Sequence, residues 1–221
     1  MERVVQVGTV TIAATYGSGG SLIGPAVAKR LKLPFVDRAI PVELAEKLHE
    51  PLVAAFADET AAGTRVGRLL NSALGFTGLF AGVPLGDEQR GVAPDVAHTE
   101  KAIRRLADAG GAVILGRAGV FVLHGRSDVL HVRLDAHVEA RRRAAMEREG
   151  LDYKSATRQQ LAADTARRSY IAHFYPRAGA WEDPRHYHLI LDSTAISLDT
   201  CVEIIARAAK DFFAKAAGTQ P

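Results

Sequence analysis

The sequence predicts an α/β fold in which helices cover both faces of a parallel sheet. Short β-branched or apolar runs alternate with longer segments of helical period along most of the 221 residues, and this alternation is typical of strand–helix–strand units. Hydrophobic residues make up 48% of the chain and charged residues 24%, the usual balance of a globular protein with a large core. The length favours one domain with an inserted subdomain.

Hydrophobic periodicity predicts the first elements in chain order: a strand at 4–14, a glycine turn at 16–21, a helix at 22–31, a short strand at 34–36 and a helix at 40–48. Pro25 has no N–H to give to a helical hydrogen bond, so the helix is expected to start late or the turn to be distorted. From residue 58 to residue 95 the period is lost. That span is expected to be an inserted subdomain or a long functional loop.

The second half continues the alternation, with predicted helices at 96–109, 136–149, 155–175 and 197–217 and predicted strands at 112–115, 129–134 and 187–191. Ser197 is a suitable N-cap for the closing helix. Ligands of parallel sheets bind beyond the carboxyl ends of the strands. The polar segments that follow strands, at 16–21, 37–38 and 116–117, are therefore the candidate site.

The first of these segments consists of Tyr16, Gly17, Ser18, Gly19, Gly20 and Ser21. A glycine turn between a strand and a helix lets backbone N–H groups converge on a phosphate with no Cβ in the way. The Ser21 hydroxyl stands where a phosphate loop holds Mg²⁺. The turn departs from G-x-x-x-x-G-K-[ST], because Ala14 replaces the first glycine and Gly20 the lysine. A tight connection without a ligand explains the glycines equally well.

Charge is unevenly distributed, although the net charge is only +3. Between residues 141 and 185, ten Lys and Arg residues face six Asp and Glu residues, which predicts either a solvated helix face or an anionic partner. A nucleotide fits better than a nucleic acid, because aromatic and basic residues do not interleave as they do in single-strand binders. The single cysteine, the lack of a signal-peptide layout and the lack of a long apolar run predict a cytoplasmic protein without a membrane span.

Five motifs in order resemble the cytidylate kinase-like proteins, a branch of the nucleoside monophosphate kinases. They are the glycine turn, Asp-Arg at 37–38, Gly-Arg at 116–117, Asp-x-x-Arg at 164–167 and Leu-Asp-Ser-Thr at 191–194. The resemblance covers the opening segment and most of the second half, and it covers 58–95 by position only.

This resemblance implies an ATP-dependent phosphotransferase that uses Mg²⁺ and acts on a nucleoside monophosphate, CMP or dCMP first. It implies a three-layer P-loop NTPase-type core in a single domain, a helical acceptor-binding insert at 38–95 and a lid at 150–185. The implied site residues are Tyr16 to Ser21 and Arg141 for the ATP phosphates, Arg117, Arg167 and Arg168 for catalysis, and Asp37, Arg38 and Asp164 for the acceptor. Neighbouring helical residues point about 100° apart, so only Arg167 of its pair is expected to face the site.

Four positions depart from the family pattern, with Ala118 in place of an aspartate, Arg38 in place of a serine, and Glu43 and Gln160 in place of arginines. Together with the missing lysine, they leave open the alternative that the chain is a nucleotide-binding regulatory protein of the same fold that has lost catalysis. A nucleic-acid-binding module is a third hypothesis, and it rests on the basic segment alone. His186 and His188 have strand spacing but no further ligands to complete a metal site. Trp181 is expected to fix the return loop of the lid.

Overall fold

A computed structural model of the chain describes residues 8–37, 96–116 and 118–218. Within these residues, five strands form one sheet in the order β2-β3-β1-β4-β5. The strands are β1 Thr9–Ala14, β2 Phe35–Val36, β3 Val113–Leu115, β4 Val129–Asp135 and β5 Leu189–Asp192. Every neighbouring pair is parallel. The predicted parallel α/β fold is confirmed.

Helices of this part of the chain cover the sheet on both faces. They are α1 Gly20–Leu31, α2 Val96–Asp108, α3 Gly119–Val122, α4 Val138–Glu149, α5 Tyr153–Phe174, a 3₁₀ helix Pro184–His186 and α6 Leu198–Gly218. None of these helices combines the length and the apolar character that a membrane crossing requires. The predicted elements at 4–7, 40–48 and 58–95 lie outside the described residues.

The start of α1 differs from the prediction. The helix begins at Gly20 with Pro25 inside it, so the expected late start at 22 is wrong. Proline removes one backbone hydrogen bond from the second turn. Ile23 and Val27, both fully buried, pack against the sheet and compensate for that loss.

Two hydrophobic cores sandwich the sheet, because side chains of a strand alternate between its faces. Val113 and Leu115 pack with α1 and α6, whereas Ile114 between them packs with α2 and α3. Cys201 of α6 is fully buried in the first core. The sheet and its two helical covers therefore form three layers.

A pair of buried polar groups lies on the α2 and α3 side of the sheet. Thr11 Oγ1 is 2.7 Å from His131 Nδ1. The backbone N–H of His131 donates to His188 Nδ1, and the two imidazole rings stack with their centroids 5.2 Å apart. Burial lowers the pKa of His131 to about 4, and the neighbouring His188, His124 and His186 act in the same direction.

This depressed pKa predicts that acid destabilises the fold. The unfolded chain binds a proton at His131 near pH 6.5, whereas the folded chain excludes it until about pH 4. The free energy of unfolding therefore has its full value above pH 6.5. It falls as the pH is lowered, by about 1.5 kcal/mol between pH 6.5 and 5. Urea unfolding at several pH values measures this loss. His131→Asn should reduce the pH dependence, and the exposed control His173→Asn should keep it; an unchanged slope in H131N would contradict the assignment.

Lys32 gives a second prediction, because it ends α1 in the left-handed conformation with φ 58°. Its N–H bonds to the carbonyls of Ala28 and Lys29, and the N–H of Leu33 returns to Ala28, an arrangement that favours glycine. Lys32→Gly should raise the free energy of unfolding by about 1 kcal/mol. The control Lys101→Gly, at an exposed site inside α2, should lower it by about 1 kcal/mol. Urea denaturation distinguishes the two, and equal losses in both variants would refute the strain at Lys32.

Candidate active site

The glycine turn follows the carboxyl end of β1 and leads into α1. Gly17 and Gly19 have φ values of 80° and 74°, a left-handed conformation that residues other than glycine rarely adopt. A Cβ on Gly17 would overlap the backbone carbonyl of Arg141. A Cβ on Gly20 would lie 2.6 Å from the Cβ of Ala14. The close packing around the turn therefore requires glycine at these positions.

The contact between Gly20 and Ala14 links the two departures from the phosphate-loop pattern. Ala14 stands where that pattern has its first glycine, and Gly20 stands where it has lysine. The methyl group of Ala14 fills the space that a side chain at position 20 would need. The two replacements are sterically complementary, and the turn lacks the lysine charge.

The N-terminus of α1 leaves backbone donors available at the turn. Gly19 is its N-cap and makes no side-chain capping bond, and the first bonds of the helix run from Leu22 and Ile23 to the Gly19 carbonyl. Within the described part of the chain, the N–H groups of Gly19, Gly20 and Ser21 have no acceptor. Free amides at a helix N-terminus attract anions.

The residues at this turn fit a triphosphate with Mg²⁺. Gly17, Gly19 and Gly20 carry no Cβ, and Ser21 is exposed in the first turn of α1. Mg²⁺ needs only one or two protein oxygens when phosphates supply further ligands. No group of three or more His, Cys, Asp or Glu side chains in the described ranges could hold a metal, so phosphate oxygens would be needed to complete a metal site here.

A buried ion pair supports the glycine turn. The Asp164 carboxylate accepts from the Tyr16 N–H at 3.0 Å and from Arg141 Nη1 at 2.8 Å. The same Arg141 nitrogen donates to the Tyr16 carbonyl at 2.8 Å. The Tyr16 hydroxyl lies within hydrogen-bond distance of Glu149 on α4, at 2.9 Å, and of Gln159 on α5, at 2.7 Å. The turn is therefore tied to both helices that follow β4.

These contacts change the interpretation of three predicted ligand-binding residues. Arg141 and Asp164 are buried and bind each other, and the Tyr16 side chain is buried between Ala145 and Ala163. Their polar groups are engaged within the protein, so they hold the turn in place. The structure places Asp164, which the family resemblance assigns to the acceptor, against the glycine turn.

Charged side chains of the described residues form a cluster behind the turn. Three guanidinium groups, on Arg133, Arg141 and Arg167, face the two carboxylates of Asp135 and Asp164. Burial alone would raise the pKa of Asp135, but the hydrogen bond and charge of Arg133 outweigh it and lower that pKa. Asp135 therefore stays ionised near neutral pH.

Two residues that support the turn were not singled out from the sequence. Ser193 donates to the Ser18 carbonyl at 2.6 Å, and Arg148 Nη2 donates to the Gly17 carbonyl at 2.8 Å. Ser193 belongs to the Leu-Asp-Ser-Thr motif, which was a usable signal. Arg148 is one of ten cations in the basic segment, and nothing in its local sequence distinguishes it from the others.

A cavity lies beside the turn, beyond the ends of β1 and β3 and under α3 and α5. Arg167 lines it, and its Nη1 is 3.0 Å from Asp164 Oδ1. The side chain of Arg168 is 53% exposed and lies 3.5 Å from Glu182. The other wall is largely aromatic, with Phe121, Tyr170 and Trp181.

The remaining predicted site residues lie around this cavity or outside the described chain. Gly116 and Ala118 line the cavity and both have left-handed φ values, 69° and 55°. Arg117 and Arg38 are not among the described residues. Asp37 is exposed just after β2. His186 and His188 belong to no metal-binding group within the described chain.

Trp181 fixes the loop that returns from α5 to β5, as predicted. It is 6% exposed and packs with Tyr170 and Ile171. The Arg133 guanidinium lies over its ring, 4.3 Å from the ring centroid. This cation–π contact joins the loop to the charged groups behind the turn.

Residues 9–195 match the family model described as the cytidylate kinase-like family. The chain belongs to this family. The resemblance inferred from the five motifs is thereby confirmed, and the parallel sheet between two helical layers confirms the predicted three-layer α/β core. Family and fold together support a phosphotransferase of the kinase type.

Several solved structures are similar to this cytidylate kinase-like protein. An uncharacterized protein from Eubacterium ventriosum has a TM-score of 0.60 at 19% identity, over 91% of this chain and 97% of that chain. A gluconokinase from Sinorhizobium meliloti has a TM-score of 0.46 at 19% identity, over 96% and 95% of the two chains. A deoxyadenosine kinase from M. mycoides has a TM-score of 0.40 at 9% identity, over 92% and 99%. No curated protein matches the sequence significantly.

The packing of Gly17 gives a testable prediction. Gly17→Ala should lower the free energy of unfolding by about 3 kcal/mol or more, because it adds a clash with the Arg141 carbonyl to the cost of a left-handed alanine. Gly125 has a similar φ of 78°, and no atom lies within 4 Å of the point that a Cβ there would occupy. Gly125→Ala should therefore cost only about 1 kcal/mol. Urea denaturation of both variants tests this difference. Equal costs would show that the turn is not closely packed.

Proposed function

We propose that the protein transfers the γ-phosphate of ATP to a nucleoside monophosphate, with CMP or dCMP as the first candidate acceptor. The observation that carries the proposal is the glycine turn. Its amides at the start of α1 have no acceptor among the described residues, and the Tyr16 N–H is joined through Asp164 to Arg167, which lines the neighbouring cavity. Membership of the cytidylate kinase-like family supports the same reaction class.

On the donor side, the proposal rests on the turn from Gly17 to Ser21. Its N–H groups would bind the phosphates of ATP, and the absence of a Cβ at Gly17, Gly19 and Gly20 would let the phosphates approach the backbone. Mg²⁺ would be held by the Ser21 hydroxyl and by phosphate oxygens, and it would neutralise charge that develops on those oxygens. Tyr16, Arg141 and Asp164 would keep the donor amides in position.

On the acceptor side, the proposal rests on the cavity between the turn and Ala118. Phosphoryl transfer mainly requires positioning and positive charge around the transferred group. Arg167 would supply that charge, because its planar guanidinium pairs with phosphate and stays protonated. Arg117, whose position next to Gly116 matches the arginine of the family motif, would bind the acceptor phosphate, and Asp37 and Arg38 would contact the acceptor.

The cavity walls have a role in this reaction too. Tyr170, Ile171 and Trp181 form an apolar wall next to Arg167. Such a wall would keep water away from the transferred phosphate and so limit hydrolysis of ATP. Because Trp181 is joined to the charged groups behind the turn through Arg133, the wall would stay in place when ligands bind.

A coupled assay of ADP release with CMP, dCMP, UMP, AMP and GMP as acceptors tests the proposal. We expect Mg²⁺-dependent turnover with at least one pyrimidine monophosphate. Arg167→Gln should lower kcat by about 100-fold or more, because it removes the cation from the transferred phosphate. The control Arg158→Gln, at an exposed position on the same helix, should leave kcat unchanged.

Three outcomes would count against the proposal. Binding of ATP without turnover for any monophosphate would indicate a nucleotide-binding protein that has lost catalysis. Turnover in R167Q at the wild-type rate would remove Arg167 from the reaction. Failure of ATP to bind at all would contradict the donor site itself. Thermal melting of both variants shows whether they fold, since Arg167 also pairs with Asp164.

A further inference from the structure

We propose that Arg148 supplies the positive charge that the glycine turn lacks, and that its guanidinium binds the terminal phosphates of the triphosphate donor. This inference rests on the proposed function. It identifies the residue of this chain that replaces the missing lysine of the phosphate loop.

The position of Arg148 is the first argument. The residue lies in the last turn of α4, and its Nη2 donates to the Gly17 carbonyl at 2.8 Å. Its Nη1 is only 3.3 Å from the point where a Cβ on Gly19 would lie. The guanidinium therefore lies along the turn, beside the amides that begin α1.

The state of this guanidinium is the second argument. No carboxylate of the described residues lies within ion-pair distance of Arg148, although most other arginines of α4 and α5 have such a partner. The side chain remains exposed, and a guanidinium has five N–H groups, of which one hydrogen bond to Gly17 uses a single one. Partial desolvation lowers the pKa of Arg148, with Glu149 and Glu147 acting in the opposite direction. A cation with unused donors thus stands at the turn.

Steric packing is the third argument. Because the Cβ of Ala14 excludes a side chain at position 20, the charge has to come from another element. Arg148 reaches the turn from α4, the helix that Arg141 and Tyr16 already tie to it. Arginine at this position can pair with two phosphate oxygens at once, whereas a lysine acts as a point charge.

Calorimetric titration of the full chain with ATP and with inorganic triphosphate tests the inference. Arg148→Ala should weaken both affinities by about 10- to 100-fold, as expected for a lost charge-assisted pair. Arg148→Lys should recover most of the affinity because it keeps the charge. Arg148→Gln can still donate to the Gly17 carbonyl but carries no charge, so its affinity should stay low. The matched control is Arg143→Ala on the same helix, whose side chain is 74% exposed and which should bind as the wild type does.

The outcomes separate this inference from the proposed function. If the wild type binds ATP and R148A binds it equally well, Arg148 has no role and the proposed function stands. If R148Q recovers binding as fully as R148K, the bond to Gly17 is all that matters, and the inference is overturned. If the wild type releases no heat with either ligand, the donor site is wrong and the inference falls with it. Melting temperatures of the variants establish that each one is folded.

Discussion

The candidate site depends on one steric constraint, the absence of room for side chains at the glycine turn. The Arg141 backbone lies against Gly17, and the Ala14 methyl group lies against Gly20. Close packing on both sides fixes the backbone of the turn at the start of α1. An ordinary phosphate loop adds a lysine to the backbone amides of its turn, and here the packing that fixes the turn excludes that lysine.

Because the turn has no lysine, the charged groups next to it lie on α4 and α5. Arg141, Asp164 and Arg167 form a continuous ion-pair chain from the turn to the cavity. A chain of this kind makes the glycine turn and the helices α4 and α5 one connected unit. Any movement of α5 that carries Arg167 would therefore also act on the Tyr16 N–H through Asp164. Direct contacts couple α5 to the glycine turn in this protein.

Much of the fold could be predicted from the sequence, because alternation of strand and helix is a local property. The predicted start of α1 was wrong, because it considered only the hydrogen bond that proline lacks. Pro25 predicted a late start, but burial of Ile23 and Val27 stabilises a helix that begins at Gly20. The four-residue α3 was too short to show a period. The site was predicted less completely, since the partner of Asp164 is an amide 148 positions away. Arg148 and Arg143 look alike in sequence, and only their position on α4 relative to the turn separates them.

Backbone amide chemical shifts of the ¹⁵N-labelled chain, titrated with ATP and Mg²⁺, test the central claim most directly. If the turn receives the phosphates, the largest changes should fall on the amides of Gly19, Gly20 and Ser21, whose N–H groups have no acceptor within the described residues. A saturable titration that leaves these three amides unchanged while others shift would contradict the account, because the triphosphate would then bind elsewhere.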